Sequence, residues 1–140
     1  MRFSLTSDAG ELFADARAVE SAGADSLWFD AMDGDPYVAL AALAAVTWRA
    51  RLVAKGAPRT AGRATCDRLA GGRLVIAEES GERWIETSFP TSRQAWREAR
   101  AAAVAQGALG VVVPNDPRLI DLLRNPDQED DRSDLNIAVG

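Results

Sequence analysis

The sequence predicts an α/β fold with a mostly parallel sheet and one β-hairpin. Three observations lead to this prediction. Short apolar runs alternate with longer amphipathic segments along the chain, which is the order that βαβ units produce. Proline, glycine and capping residues mark the starts and stops of the helical segments. Two extended runs, RLVIAEE and RWIETSF, are separated only by SGE, which is the spacing of a hairpin.

The N-terminal part begins with an alternating strand, Arg2–Thr6. A helix from Asp8 to Ser21 follows, capped by Ser7 or Asp8. The compact apolar run DSLWFD is the second strand. Asp35 is expected to cap the next helix, because Pro36 then occupies the first turn, where proline is tolerated. The face of the first helix that should be buried carries Leu12, Ala16 and Val19.

The C-terminal part continues the alternation. RLVAKG is a strand, a short helix is expected from about Arg63 to Leu69, and GRLVIAEE is the fourth strand, which opens the predicted hairpin. A helix is predicted for PTSRQAWREARAAAVAQG, and it begins at Thr91 or Ser92 and ends at Gly107. LGVVVPND is an apolar strand, buried on both faces, and PRLIDLLR is a short helix. An acidic loop then leads to an apolar run, LNIAVG, that is expected to return to the sheet.

Composition limits the possible functions. The 140 residues fit one domain, residues 1–140, and the net charge of −5 without a basic cluster argues against a nucleic-acid groove. No histidine is present, so the usual Ser-His pairing is excluded. Cys66 is the only cysteine, so no intrachain disulfide can form, and it is expected in the core. The polar N-terminus and the absence of a long apolar run predict a cytoplasmic protein with no membrane partner.

The candidate functional residues lie where the predicted parallel strands end, because that edge binds ligands in α/β folds. Asp30, Lys55 and Glu78 are the candidates for acid/base catalysis, since neighbouring carboxylates raise one another's pKa and a lysine can polarise a carbonyl. Capping and surface pairing explain the same residues without any chemistry. The wider set at this edge comprises Ser7, Asp8, Asp33, Asp35, Arg59, Glu79, Asn115 and Asp116.

The four tryptophans can line a pocket for a planar ring, or they can belong to the core. Trp28 and Trp96 are predicted to be core residues, since one lies on a strand and the other on an amphipathic helix. Trp84 is the best candidate for a pocket or an interface. NPDQEDD lacks the central glycine and the distal glutamate of a calcium loop, so it is predicted to be a solvated acidic turn, and no metal site is expected.

Three stretches, ARAVESAGADSLWFD, DPYVALAALAAVTWRARL and CDRLAGGRLVIA, together resemble the luciferase-like monooxygenase family. The resemblance covers Arg2 to about Ala77 in the family's order. It implies a (β/α) barrel of the TIM type and an oxidoreductase that uses FMN or a deazaflavin. A full barrel needs about 250 residues, so the expected fold is a truncated, partial (β/α) barrel. The residues expected beside a flavin are Ser7, Trp28, Glu79 and Asn115.

Two hypotheses for function follow. The first is a shortened luciferase-like oxidoreductase that acts on a small molecule with flavin or deazaflavin. The second is a cofactor-free remnant of that family, which binds a small-molecule ligand, serves as a subunit, or works as an acid/base catalyst. The first is the leading hypothesis, because the resemblance supports it. A glycine-rich phosphate loop is absent, since Gly71 and Gly72 precede a strand instead of following one, which argues against the family's usual mode of cofactor binding. The open edge of a partial barrel predicts a homodimer, with the hairpin as an interface element.

Overall fold

Strands and helices alternate throughout the part of the chain that the structure describes, which comprises residues 2–3, 9–31, 35–58 and 60–128. The structure is a computed structural model. In chain order its elements are β1 (Arg2–Phe3), α1 (Ala9–Ser21), β2 (Ser26–Asp30), α2 (Pro36–Val46), β3 (Arg51–Lys55), α3 (Gly62–Ala70), β4 (Leu74–Ile76), α4 (Ala77–Ser80), β5 (Trp84–Glu86), α5 (Arg93–Ala105), β6 (Gly110–Val112) and α6 (Leu119–Arg124).

All strand pairs between these elements are parallel. One sheet has the order β1-β2-β3-β4, and β5 pairs with β6 in a second sheet. The prediction of an α/β fold with parallel strands is therefore confirmed. Among the described residues no strand pairing joins the two sheets, so they do not form a closed barrel. The ends of β2 and β3 meet at one edge, because Asp30 and Lys55 are register partners.

The predicted hairpin is wrong. β4 pairs with β3, and β5 pairs with β6 through partners such as Trp84 and Gly110, so β4 and β5 are not neighbours in one sheet. Alanine and glutamate are good helix formers, and the residues after β4 accordingly form α4 instead of extending the strand. Gly81 follows in the left-handed conformation, with φ of 67°. The helical turn thus separates the two extended runs that looked like a hairpin.

Two predicted helix starts are confirmed. The Asp35 carboxylate accepts a hydrogen bond from the backbone N–H of Tyr37 at 3.0 Å, with Pro36 in the first turn of α2. The Ser92 hydroxyl accepts from the N–H of Ala95 at 3.0 Å at the start of α5. Several predictions concern residues outside the described ranges: the capping of α1 by Ser7 or Asp8, the strand beyond Phe3, the loop positions Asp33 and Arg59, and the apolar run LNIAVG.

One face of the first sheet packs against the helices and forms the larger core. Leu27 and Phe29 of β2 and Leu52 of β3 are fully buried on this face. The predicted inner face of α1 is confirmed, since its three residues all belong to this core. Alternation along the strands places every second side chain on this side. The remaining helix-side contacts come from residues of α2, α3 and α6, among them Leu40, Leu43, Cys66, Leu119 and Leu122.

The opposite face carries a smaller core that connects the two sheets. Trp28, Val53 and Val112 are buried there, and Trp84 packs against them. The rings of Trp28 and Trp84 meet edge to face, with centroids 5.7 Å apart. Such aromatic pairs add about 0.5–1.5 kcal/mol beyond the burial of their area. Trp28 is thus a core residue, as predicted.

Two ion pairs flank this aromatic contact and also connect the two sheets. Arg51 and Glu82 lie 2.6 Å apart near the strand starts, and Lys55 pairs with Glu86 at the strand ends. The Arg51 hydrogen bond is the main cause that holds the pKa of the Glu82 carboxyl below its usual value. Each pair joins β3 to the segment of β5, so the second sheet is attached at both of its ends.

A buried carboxylate holds the chain together where the strands of the first sheet begin. Glu20, only 4% exposed, accepts three backbone N–H groups at 2.7 to 3.0 Å, those of Trp48, Arg49 and Ala50. Burial by itself would raise the pKa of Glu20, but these donors and the charge of Arg73 outweigh it and lower that pKa. Arg73 donates to oxygens of Ala44, Thr47, Ala50 and Ala70 at 2.9 to 3.1 Å.

Candidate functional site

Asp30 and Lys55 end neighbouring strands and are adjacent in the sheet, as the sequence analysis expected. The backbone continues this pairing past β2, since the N–H of Ala31 donates to the carbonyl of Lys55 at 3.0 Å. Both side chains are half-buried. Two of the three candidates for acid/base catalysis therefore lie side by side at the edge where parallel strands bind ligands.

The Lys55 ammonium pairs with Glu86, which the sequence analysis did not select. Glu86 ends β5 and lies two positions after Trp84, so the two side chains share a face of the strand. That spacing was visible in the run RWIETSF. The predicted hairpin obscured it, because it assigned β5 to a different neighbour.

Glu78 and Glu79 lie at the same edge, and both are engaged by the protein itself. The Glu78 carboxylate accepts the backbone N–H of Gly56 at 2.7 Å, which fixes the loop after β3. Glu79 receives two hydrogen bonds from the guanidinium of Arg63, at 2.6 and 2.9 Å. Such a bidentate pair is geometrically specific. It connects α4 to α3 beside the strand ends.

Asn115 follows β6 but does not join this group. Its side-chain amide donates to Asp15 of α1 at 2.7 Å. Asp116, next in the chain, is held by Arg118 through side-chain and backbone hydrogen bonds, which lower the pKa of its carboxyl to about 2. Ser7, the remaining candidate for a flavin site, lies outside the described residues, as do Asp8, Asp33 and Arg59.

A concave surface lies where β5 and β6 end, and we call it the strand-end notch. Its volume is 340 Å³, and one of its walls is the Glu86 residue that pairs with Lys55. A hydrogen bond of 3.0 Å from the Thr87 N–H to the Val112 carbonyl fixes its base. The full lining comprises Glu86, Thr87, Ser88, Val112, Val113 and Pro114.

The described residues at this edge fit the phosphate of a flavin poorly. A phosphate is bound by cations or by unpaired backbone N–H groups. Lys55 and Arg63 are each already paired with a carboxylate. Asp30 and Glu78 add further negative charge near the strand ends. Trp28, expected beside a flavin ring, is 5% exposed and donates its indole N–H to Ser26 at 2.9 Å.

Within the described ranges, no three histidine, cysteine, aspartate or glutamate residues lie close enough together to hold a metal ion. Within the same ranges, no helix has the length and apolar character needed to cross a bilayer. Cys66 is 1% exposed, and burial raises the pKa of its thiol to about 11, so the prediction of a core cysteine is confirmed.

No protein-family model matches this chain, and no curated protein is similar enough to it to count as a match. The resemblance to the luciferase-like family therefore stays an expectation from the sequence. Hypotheses about function depend on the geometry described above.

Proposed function

We propose that this protein is a cofactor-free, ligand-binding relative of the luciferase-like family. Its ligand is a small, positively charged or neutral molecule that binds in the strand-end notch. The observation that carries the proposal is the notch itself, since a cavity of 340 Å³ beside the Lys55–Glu86 pair lies where the strands end. That position is the usual ligand-binding edge of parallel sheets.

The charges near the notch favour an amine over an anion. Asp30, Glu78 and Glu86 lie at the strand ends, and Lys55 is the cation among them. A carboxylate can accept several hydrogen bonds at once, so Glu86 can keep Lys55 and still bind an ammonium group. The hydroxyl groups of Thr87 and Ser88, both exposed, supply further hydrogen bonds.

The internal partners of the acid/base candidates support binding more than catalysis. Lys55 is held by Glu86, and Glu78 is held by the N–H of Gly56. A general base must reach a proton on the substrate, whereas these two groups are already held by partners within the protein. We assign Lys55 to positioning Glu86, which lines the notch, and Glu78 to fixing the loop after β3.

An absorbance spectrum and titrations with FMN and the deazaflavin cofactor test the cofactor part. We expect colourless protein and no saturable binding of either compound. A bound chromophore, or a micromolar dissociation constant, which corresponds to a binding free energy of about −8 kcal/mol, would overturn the proposal. It would favour the oxidoreductase hypothesis.

Amide NMR spectra recorded with a diamine, putrescine, and with the dianion succinate test the ligand part. We expect putrescine to shift the amide signals of Thr87 and Ser88 and succinate to leave them unchanged. Glu86→Gln should weaken the putrescine response by about tenfold, because a charged hydrogen-bond partner is lost. Glu98→Gln, an exposed change on α5, is the matched control. A response equal in both variants would contradict the assignment.

Self-association and a cytoplasmic location are part of the same proposal. β4 is one of the two edge strands of the first sheet as described, and unpaired edges favour pairing with a second chain. Because the predicted hairpin does not form, we propose that the dimer interface lies at this edge instead. Light scattering during gel filtration measures the mass directly, and a monomer at high concentration would refute the homodimer.

A further inference from the structure

A second cavity lies at the other end of the sheets, and we call it the α5 cleft. Its volume is 280 Å³. It opens between α5, β6 and α6 on one side and the turn from α1 to β2 on the other. Its lining includes the starts of β2, β5 and β6, and Val113, just past the end of β6, borders both this cleft and the strand-end notch. The residues that matter are Asp25, Trp84, Trp96, Arg100, Val104 and Leu109.

Two indole rings line the α5 cleft. Trp84 lies directly against the backbone of Gly110, where a Cβ atom would come within 2.7 Å of ring atom Cζ3. Trp96 is 6% exposed, and its indole N–H has no hydrogen-bond partner among the described residues. A buried polar group without a partner is destabilising. The cleft wall thus provides aromatic surface, and the buried Trp96 N–H behind it has no partner among the described residues.

The rim of the cleft is apolar and carries one cation. Val104 is 70% exposed and Leu109 is 60% exposed, and both side chains line the opening. The Arg100 guanidinium lies 6.0 Å from the centre of the Trp96 ring. No carboxylate pairs with Arg100 in the part of the chain that the structure describes. The one carboxylate in the lining belongs to Asp25, which lies in the α1–β2 turn.

We propose that the α5 cleft binds a small planar aromatic carboxylate. The ring packs between the indoles and the apolar rim, and it removes Val104 and Leu109 from water. The carboxylate lies at the Arg100 end and away from Asp25. The size of the cleft is at the lower limit of ligand pockets, about 300 Å³, which suits a compound of one or two rings. This site adjoins the strand-end notch at Val113 and prefers the opposite charge.

Calorimetric titration with naphthoate tests the proposal, with naphthyl methanol as the neutral comparison. We expect saturable binding of naphthoate and weaker binding of the alcohol. Arg100→Gln should weaken naphthoate binding by about tenfold through the loss of a charged partner, and it should leave the alcohol unchanged. Arg68→Gln, an exposed change on α3, should alter neither titration.

Val104→Asp places a carboxylate at the rim and should abolish naphthoate binding. Val38→Asp is the matched control, since Val38 is a helical valine with 72% exposure that lies outside the cleft. Circular dichroism confirms that both variants fold. Equal binding by the two variants, or no binding by the parent protein, would overturn the proposal. If the parent protein does not bind naphthoate and the Val104→Asp variant no longer self-associates, the cleft is instead a contact surface for a second copy of the chain.

Discussion

The two ends of the parallel sheet use charge in opposite ways. Where the strands begin, Glu20 is buried and held by three backbone N–H groups, and Arg73 satisfies carbonyl oxygens around it. Where the strands end, the Lys55 and Glu86 side chains are 38% and 37% exposed. The difference indicates a division of roles. Glu20 and Arg73 at the strand starts stabilise the fold, while the Lys55–Glu86 pair at the strand ends stays accessible to solvent.

The energetic reason is solvation. An exposed ion pair contributes about 0–1 kcal/mol, because water and salt screen it. A buried carboxylate with several donors is different, since its removal leaves those donors without partners in a site that excludes water. The comparison is therefore testable by substitutions at each end.

Glu20→Gln should give the largest effect. A neutral amide accepts these three N–H groups more weakly than the carboxylate, and its NH₂ group would replace the oxygen that shares the Trp48 N–H. We therefore expect a loss of about 3 kcal/mol in the free energy of unfolding. Urea unfolding followed by circular dichroism measures it. Glu98→Gln, on the exposed side of α5, is the control and should change stability by less than about 0.5 kcal/mol. An equally small change in stability for Glu20→Gln would contradict the proposed difference between the two ends of the sheet.

The same carboxylate predicts a dependence on pH. Its pKa in the folded state lies below the ordinary value of 4.5, so ionised Glu20 stabilises the fold above that pH and the stabilisation is lost as pH falls. The stability difference between the parent protein and Glu20→Gln should therefore shrink when urea unfolding is repeated at decreasing pH below 4.5. A constant difference would show that Glu20 acts through its shape alone.

Gly110→Ala should have an intermediate effect and tests the aromatic contact that connects the two sheets. The new Cβ would lie 2.7 Å from the Trp84 ring, so the indole must move from its contact with Trp28. We expect a loss of about 1–3 kcal/mol from overpacking, together with a changed near-UV signal from the tryptophans. Gly107→Ala is unsuitable as a control, because Gly107 has φ of 70°. Ala102→Gly, at an exposed position of α5, is the control. We expect it to lower the free energy of unfolding by about 1 kcal/mol and to leave the near-UV signal unchanged.

Lys55→Met should have the smallest effect. The Lys55–Glu86 pair is exposed, so we expect the free energy of unfolding to change by about 0.5 kcal/mol. In about 1 M salt, which screens the pair, the difference between the variant and the parent protein should be smaller still. Urea unfolding at low and high salt provides both values. A loss as large as that for Glu20→Gln would show that the strand ends are also built for stability.

Local signals in the sequence predicted much of the fold. The cap at Asp35, the strand before it and the inner face of α1 follow from patterns within a few residues. The hairpin failed because spacing alone does not specify a partner, and four helix-forming residues intervened. β5 pairs instead with β6, across the whole of α5.

The polar groups that distinguish the two ends were harder to predict. Glu20 stands at the end of a helix, where an exposed glutamate is expected, and its donors are 28 to 30 residues further along the chain. Asp30, Lys55 and Glu78 were identified because strand ends can be located from the sequence. Their partners Glu86 and Gly56 belong to tertiary structure, which a local pattern does not encode.

The ion pairs Arg51–Glu82 and Lys55–Glu86 have a consequence for strand alignment. The partners have the same spacing on both segments. A slip of one residue between β3 and β5 would therefore separate both pairs at once. It would also turn Ile85 toward Trp28 in place of Trp84, since neighbouring side chains in a strand face opposite ways. The two charges on each segment thus select a single alignment for two sheets that share no hydrogen-bonded ladder in the described ranges.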